Sequence, residues 1–316
     1  MKVNIKELVN IPERLGSGHR MCAGCAAPIV AKMVMMGTDK PIVVANATGC
    51  LEVATTIYPY TAWKTPWLHN AFENAAATMS GIETAYNSLK KQGKIDKDIK
   101  FLAFGGDGGT HDIGLQSLSG ALERGHNFVY VCYNNEAYMN TGVQRSGATT
   151  KGAATTTSPA GDVIPGKREF AKDLTAICAA HNIPYVGQAT ISNWKDLIGK
   201  AKKAFECEGP AFLHVLSPCP PGWKHPPEKS IEIAKIAVEC KMWPLYEVEN
   251  GVWRITYTPR KEVPVADWLD AQGRFRHLNK EENKHIKEEI QNWVNNNWTK
   301  LEKLQKATAE ESQEDN

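Results

Sequence analysis

The first 240 residues alternate between short apolar runs and longer stretches with apolar positions at helical spacing. The apolar runs predict buried strands at residues 41–46, 100–104, 128–133 and 212–216. The longer stretches predict helices at residues 70–90, 112–124, 170–181, 194–207 and 230–238. Because strands that alternate with helices form parallel sheets covered on both faces, we predict a doubly wound, mostly parallel α/β fold.

The pattern changes after residue 240. Residues 246–257 predict a β-hairpin that turns at Glu249-Asn-Gly. From Lys280 onward the chain is strongly charged, and its apolar positions at helical spacing predict an amphipathic helix: Ile286, Ile290, Val294, Trp298 and Leu301. The acidic end is expected to be disordered; its acidic residues are Glu310, Glu311, Glu314 and Asp315. We therefore predict an α/β domain at residues 1–240 and a C-terminal extension at residues 241–316.

Composition and charge argue against several classes of function. The 316 residues include 37 Lys and Arg against 35 Asp and Glu, and this net charge of +2 favours neither nucleic acid nor an anionic membrane as a partner. No apolar run approaches the ~18 residues of a membrane span. The N-terminal segment is too polar for a signal peptide. We therefore expect a cytoplasmic protein.

Polar side chains follow two of the predicted strands. Asp107 ends the apolar run at 100–104 within Gly-Gly-Asp-Gly-Gly, and Asn135 ends the run at 128–133. Neighbouring parallel strands would bring both side chains to the sheet edge where α/β folds bind ligands. Mg²⁺ takes carboxylate and amide oxygens together with phosphates, and flanking glycines let backbone N–H groups approach a diphosphate. A Gly-Asp-Gly followed at this spacing by an Asn is similar to the metal-diphosphate motif of thiamine diphosphate enzymes. An ordinary strand-to-helix turn with an Asp cap is the simpler alternative.

Two further segments lie near the predicted diphosphate edge. Asn140-Thr141-Gly142 places an amide and a hydroxyl on the loop after Asn135, where they could hold diphosphate oxygens or the ion. Residues 145–168 form a long Thr- and Gly-rich loop, which in a compact domain is often functional. We expect this loop, and an Ala-rich helix starting at Ala71, to contact a partner chain.

Four of the eight cysteines are candidate metal ligands: Cys22, Cys25, Cys50 and Cys219. The first two form a Cys-x-x-Cys on a Gly-rich segment, and the other two follow apolar strands. Four thiolates suit structural zinc as well as an iron–sulfur cluster. A thioredoxin-type pair or disulfides are further alternatives. A neighbouring thiamine site favours the cluster, since that cofactor donates electrons and needs an acceptor. The remaining four are expected to be structural thiols: Cys132, Cys178, Cys207 and Cys240.

Five segments in order resemble the β subunit of pyruvate:ferredoxin oxidoreductase and its 2-oxoacid relatives, over roughly residues 14–280. They are Gly-His-Arg-Met-Cys-Ala-Gly-Cys, Asn-Ala-Thr-Gly-Cys-Leu-Glu-Val, Phe-Gly-Gly-Asp-Gly-Gly-Thr, Asn-Glu-Ala-Tyr-Met-Asn-Thr-Gly and Leu-Ser-Pro-Cys-Pro. The resemblance implies the diphosphate-binding half of a thiamine diphosphate fold, preceded by a cluster-binding N-terminal segment. Two positions depart from the family: Ala26-Ala27 stand where some members have a Glu that contacts the cofactor, and Asn134 stands where relatives often have Asp.

The resemblance also implies site residues. A [4Fe–4S] cluster would bind Cys22, Cys25, Cys50 and Cys219. Mg²⁺ would bind Asp107, the Asn135 side chain and the Ala137 carbonyl. Thiamine diphosphate would bind Gly49, Gly106, Asp107, Gly108, Asn135, Asn140 and Thr141.

The implied activity is oxidative decarboxylation of a small 2-oxoacid, with electrons passed through the cluster to ferredoxin. Pyruvate, giving acetyl-CoA and CO₂, is the expected substrate; oxalate and branched-chain 2-oxoacids stay open. The chain is short for two thiamine half-domains, so an activating Glu is expected on an α subunit. The γ and δ subunits, or fused domains, would carry CoA- and ferredoxin-like functions. Alternatives from other classes are a non-redox thiamine decarboxylase or synthase subunit with structural zinc, and a purely structural subunit.

Overall fold

One eight-stranded sheet forms the centre of the molecule in the computed structural model, which describes the backbone of residues 3–314 and the side chains up to residue 310. The strands are β1 (Ile42–Ala47), β2 (Trp67–Asn70), β3 (Lys100–Gly106), β4 (Val129–Asn134), β5 (Tyr185–Thr190), β6 (Ala211–Leu216), β7 (Leu245–Glu249) and β8 (Val252–Tyr257). Their order in the sheet is β2-β1-β3-β4-β6-β5-β7-β8. The first six strands are parallel, and β7 and β8 add antiparallel at one end.

The α-helices cover both faces of this sheet. They are α1 (Ile5–Leu8), α2 (Ala27–Met35), α3 (Cys50–Val53), α4 (Ala75–Lys91), α5 (Leu115–Glu123), α6 (Leu174–Ala179), α7 (Trp194–Glu206), α8 (Pro220–Trp223), α9 (Ser230–Glu239), α10 (Val265–Asp270) and α11 (Lys284–Glu314). Apolar residues of α2 and α7 pack on one face, and those of α4, α5 and α6 pack on the other. The prediction of a doubly wound, mostly parallel sheet is therefore confirmed.

All four strands predicted from continuous apolar runs are present, and so is the hairpin. Two strands were missed. The short edge strand β2 has two exposed side chains in its four residues, and β5 contains Gly187 and Gln188, which interrupt its apolar pattern. The helix predicted from residue 70 begins at Ala75, because Asn70 ends β2 instead. Five helices were not predicted: α1, α2, α3, α8 and α10.

The segment after residue 240 extends the main sheet. Strand β7 pairs with β5, and α11 packs through Ile286, Ile290 and Val294 into a third apolar cluster with Trp223 and Trp268. The predicted charged helix is thus present, beginning at Lys284. It continues through the acidic residues up to Glu314, so the expected disorder is wrong there, and Asp315 lies outside the described residues. The division at residue 240 stays a prediction.

Within residues 3–314 no helix combines the length and apolarity that crossing a membrane requires.

Candidate thiamine and metal centre

The strand register brings the two polar motifs together. Gly106 at the end of β3 pairs with Tyr133 near the end of β4, so Asp107 and Asn135 leave the sheet side by side. Asp107 is fully buried. Its Oδ1 accepts a hydrogen bond from the Asn135 backbone N–H at 3.2 Å, and its Oδ2 accepts one from the Ser146 hydroxyl at 2.5 Å. The predicted juxtaposition of these two residues at the sheet edge is therefore what the structure contains.

The Asn135 side chain has an oxygen-rich surrounding. One end of its amide lies 2.9 Å from Asp107 Oδ1 and 3.0 Å from the Ala137 carbonyl oxygen. An NH₂ group at this end donates to both oxygens. If the amide oxygen is turned to this end, it faces the oxygens of Asp107 and Ala137. Oxygens this close repel each other unless a cation lies between them. Ligand oxygens on octahedral Mg²⁺, bound at 2.0–2.1 Å, stand about 2.9 Å apart. The donor set of Asp107, Asn135 and Ala137 therefore fits magnesium.

Burial is the main cause that raises the pKa of Asp107 to about 7, and the neighbouring Glu136 charge adds to this shift. The hydrogen bonds from Ser146 and the Asn135 backbone act in the opposite direction. A carboxylate held this far from water is costly to ionise unless a positive charge compensates it. The electrostatics of the residue thus also favour a cation beside it.

A cleft lies beside this oxygen cluster. Its lining includes most of the residues predicted to bind the cofactor or its magnesium ion: Gly49, Gly106, Gly108, Asn135, Ala137, Asn140 and Thr141. Asp107 itself lies behind the wall. The sequence interpretation missed Thr48, Phe72, Tyr133, Tyr138 and Met139 in the same wall. Four of these five lie inside or next to the motifs already quoted, so proximity to a motif was the available signal.

The glycines of the cleft are required partly by tyrosine rings. A Cβ on Gly108 would lie 2.4 Å from the Tyr138 ring, and one on Gly49 would lie 2.8 Å from the Tyr133 hydroxyl. After Gly108 the chain forms a single π-helical turn, Gly109–Ile113, a feature that is frequent at functional sites. The turn lets the backbone leave β3 tightly around Asp107.

The four candidate cysteines converge on one region. Cys25 N–H donates to the Cys22 carbonyl in a tight turn, and the next N–H, that of Ala26, donates to Pro218 O beside Cys219. Burial, reinforced by the neighbouring thiols, raises the pKa of both Cys25 and Cys219 to about 12. Burial also raises the pKa of Cys50, with Cys22 acting in the same direction and a hydrogen bond from Asn140 against it.

The spacing of these thiols bears on the choice of metal. Thiolates on tetrahedral zinc lie about 3.8 Å apart, given Zn–S bonds of about 2.3 Å. Among the described residues, only His111, Cys132 and His214 bring three ligand atoms within 4.8 Å of one another. No three of the four candidate sulfurs are therefore that close. As placed in the structure, the four sulfurs do not have the spacing of ligands on a single zinc ion. Cys132, Cys178 and Cys240 are buried, as predicted for structural thiols, and Cys207 is half-buried.

The long loop at residues 145–168 is divided between two roles. Residues 146–150 are buried and include Ser146, which holds Asp107, whereas residues 159–164 are exposed. The role of Ser146 was missed, since a serine in a Thr- and Gly-rich loop carries no signal of its own. The predicted partner surface on this loop and near Ala71 stays a prediction.

The fold and the site together define a thiamine diphosphate-binding protein, and comparisons with known proteins agree. Residues 47–215 match the family described as "Thiamine pyrophosphate enzyme, C-terminal TPP binding domain". The chain is 53% identical over 320 residues to pyruvate synthase subunit PorB of Thermotoga maritima, covering 98% of both chains. It is 56% identical over 280 residues to PorB of Methanocaldococcus jannaschii, covering 88% of this chain and 94% of that one.

A solved 2-oxoglutarate:ferredoxin oxidoreductase from Magnetococcus marinus shares the fold. Its TM-score is 0.55 at 20% identity, over 70% of this chain and 79% of that one. The chain belongs to the thiamine pyrophosphate enzyme family and, within it, to the family of PorB subunits. The predicted resemblance is confirmed.

Proposed function

We propose that this chain is the thiamine diphosphate-binding subunit of a pyruvate:ferredoxin oxidoreductase, with Mg²⁺ at Asp107, Asn135 and Ala137 and a [4Fe–4S] cluster at Cys22, Cys25, Cys50 and Cys219. One observation carries the redox part of this proposal. Cys50 lines the same cleft as Gly106, Gly108 and Asn135, so a cluster on Cys50 would adjoin the thiamine cofactor directly. The family membership supports pyruvate as the substrate.

The chain's own residues have binding and shielding roles in this proposal. When bound, thiamine diphosphate supplies the carbon nucleophile for the 2-oxo group, and the cluster accepts the electrons released. Asp107, Asn135 and Ala137 hold the ion that neutralises the diphosphate. Phe72 and Tyr133 form apolar walls that limit access of water. Asn140 lies between the two proposed cofactor sites, since it lines the cleft and lowers the pKa of the Cys50 thiol.

The cleft lacks a group able to activate the cofactor by itself. Among the described residues, no side chain that lines the cleft is a carboxylate or a histidine. Activation of thiamine requires a Glu against its aminopyrimidine ring, as the family resemblance implies. We therefore propose that an α subunit supplies this Glu and completes the site. Subunits or domains that carry CoA and ferredoxin-like clusters would complete the enzyme, with ferredoxin as the final acceptor.

The activity test compares the isolated chain with the complete complex. We expect the complex to reduce viologen with pyruvate faster than with oxalate or a branched-chain 2-oxoacid, because the PorB relatives are pyruvate synthases. The isolated chain, with its cluster reconstituted, should show no oxidation of any of these acids. Substantial turnover by the isolated chain would contradict the shared site. Absence of iron and acid-labile sulfide in anaerobically purified protein would favour the non-redox alternative.

A second test follows from the pKa of Asp107. Magnesium binds the ionised carboxylate, so a proton competes with the metal at pH values below about 7. We expect the affinity for Mg²⁺, measured by calorimetry in the presence of thiamine diphosphate, to fall by about tenfold per pH unit below this value. Above it the affinity should level off. An affinity that does not change between about pH 5 and pH 8 would exclude Asp107 as a ligand with this pKa.

A further inference from the structure

Glu136 and Arg274 form a buried ion pair that joins the loop after β4 to the C-terminal segment. Arg274 Nη2 lies 2.8 Å from Glu136 Oε2, and the two side chains are 3% and 4% exposed. The Thr150 hydroxyl donates to the same carboxylate oxygen at 2.9 Å. Such a pair is expensive to desolvate and is often no more stabilising than apolar residues of similar volume. Its presence beside the proposed cofactors therefore calls for a functional reason.

The residue at the carboxylate end of the pair adjoins, along the chain, two of the residues proposed to hold magnesium. Glu136 stands between Asn135 and Ala137, whose oxygens face that position. Its backbone φ of 63° is in the left-handed region, which is unfavourable for a residue with a side chain. Its carbonyl accepts a hydrogen bond from the Thr149 hydroxyl at 2.6 Å. The negative charge of Glu136 acts on Asp107, where it adds to the rise in pKa that burial causes.

The guanidinium end lies toward the cysteines. The central carbon of the Arg274 guanidinium lies 4.2 Å from the centre of the Trp223 ring. The Trp223 backbone N–H donates to the Cys219 carbonyl at 2.8 Å, and its indole N–H donates to the Asn135 carbonyl at 2.7 Å. The positive charge of Arg274 favours the thiolate of Cys219, opposing the rise in pKa that burial causes.

We propose that the Glu136–Arg274 pair is a fixed buried dipole that serves both cofactors, stabilising Mg²⁺ at its negative end and the reduced state of the cluster at its positive end. The inference rests on the proposed function. When the cluster takes up one electron, its charge becomes more negative, and a nearby guanidinium favours that state. Charge near an iron–sulfur cluster is one of the factors that set its reduction potential.

The test measures the reduction potential of the cluster by an EPR redox titration. The full-length chain, reconstituted with iron and sulfide and without magnesium, contains only the cluster in question. Glu136→Gln leaves the positive charge unpaired, so the potential should rise. Glu136→Gln combined with Arg274→Gln removes both charges of the pair, so the potential should fall. We expect a fall of about tenfold in the equilibrium constant of reduction, which equals about 59 mV for one electron.

Two controls separate charge from structure, and a further measurement tests the negative end of the pair. Arg274→Lys keeps the charge while it loses the planar stacking on Trp223, so its potential should stay near that of the unmodified chain. Asp196→Asn combined with Lys200→Gln removes another ion pair, between a buried lysine and a half-buried aspartate of α7 whose charged atoms lie 2.7 Å apart, and should leave the potential unchanged. The affinity for Mg²⁺ should fall by about tenfold in Glu136→Gln, because a nearby negative charge is lost.

The dipole is identified by opposite shifts of the reduction potential: a rise in Glu136→Gln and a fall in the double variant. Shifts in the same direction, potentials equal to that of the unmodified chain, or loss of iron from every variant of the pair would each overturn the inference. The last result would mean that the pair only maintains the fold. An unmodified chain that binds neither iron nor sulfide would instead overturn the proposed function, and this outcome is visible before any variant is made.

Discussion

Asp107→Asn should abolish magnesium-dependent binding of thiamine diphosphate while making the metal-free chain more stable. The substitution removes a charged metal ligand. Mutation of residues that only hydrogen-bond to metal ligands typically lowers metal affinity 10–100-fold, so we expect a loss of at least about 100-fold. Shape is retained, because the amide still accepts from the Asn135 backbone N–H and its NH₂ can donate to the Ser146 hydroxyl. Calorimetric titration with Mg²⁺ and thiamine diphosphate measures the loss.

The gain in stability follows from the raised pKa of Asp107. Its pKa rises from 3.8 to about 7 on folding, so the folded chain holds the proton more tightly than the unfolded chain does. The unmodified, metal-free chain should therefore lose stability as the pH rises from about 4 to about 7, by a few kcal/mol at most. The Asp107→Asn variant should lack this dependence, as urea unfolding at several pH values would show.

A matched control uses the nearby carboxylate of Asp112. It lies five residues further along the chain, is half-buried, and pairs with Lys172 at 2.7 Å. Asp112→Asn should leave metal binding nearly intact. Equal loss of binding in Asp107→Asn and Asp112→Asn would mean that either substitution disturbs the local structure. Retention of stoichiometric cofactor by Asp107→Asn would contradict the magnesium assignment.

The parts of the fold that could be predicted are those with a local physical cause. Buried parallel strands need apolar side chains on both faces, which makes continuous apolar runs such as that in β4 visible in the sequence. Strand β5 was missed because its buried Gln188 looks like a surface residue. In the folded chain Gln188 accepts from Thr175 and donates to the Pro244 carbonyl, so its polar atoms are satisfied. Those partners lie on other elements and give no signal in the local pattern.

The site residues also divide into those that the local sequence reveals and those that it does not. Asp107 and Asn135 could be predicted as neighbours, because adjacent parallel strands place the residues that follow them at one edge. The partners that fix them could not be predicted. Ser146 reaches Asp107 from a distant loop, and Arg274 reaches Glu136 from the C-terminal segment. Such contacts depend on how elements pack, which neither spacing nor periodicity encodes.

Cys50→Ser should lose or convert the cluster, whereas Cys178→Ser should keep it. A serine alkoxide is a harder and poorer ligand for iron than a thiolate, so one of the four proposed attachments is weakened or lost. Cys178 is an equally small thiol, buried in the core on α6, and is not one of the four proposed ligands. Iron and acid-labile sulfide per chain, measured after anaerobic reconstitution, give the comparison directly.

A second measurement on the same two variants separates the cluster from the thiamine site. Cys50 lines the cleft but contributes no oxygen to the proposed magnesium position, so Cys50→Ser should retain binding of Mg²⁺ and thiamine diphosphate within about threefold, which is less than 1 kcal/mol. It should nevertheless pass no electrons to viologen in the complete complex. Equal loss of iron in Cys50→Ser and Cys178→Ser would show that the four cysteines were wrongly chosen. Full iron content together with an unchanged EPR spectrum in Cys50→Ser would exclude that residue as a ligand.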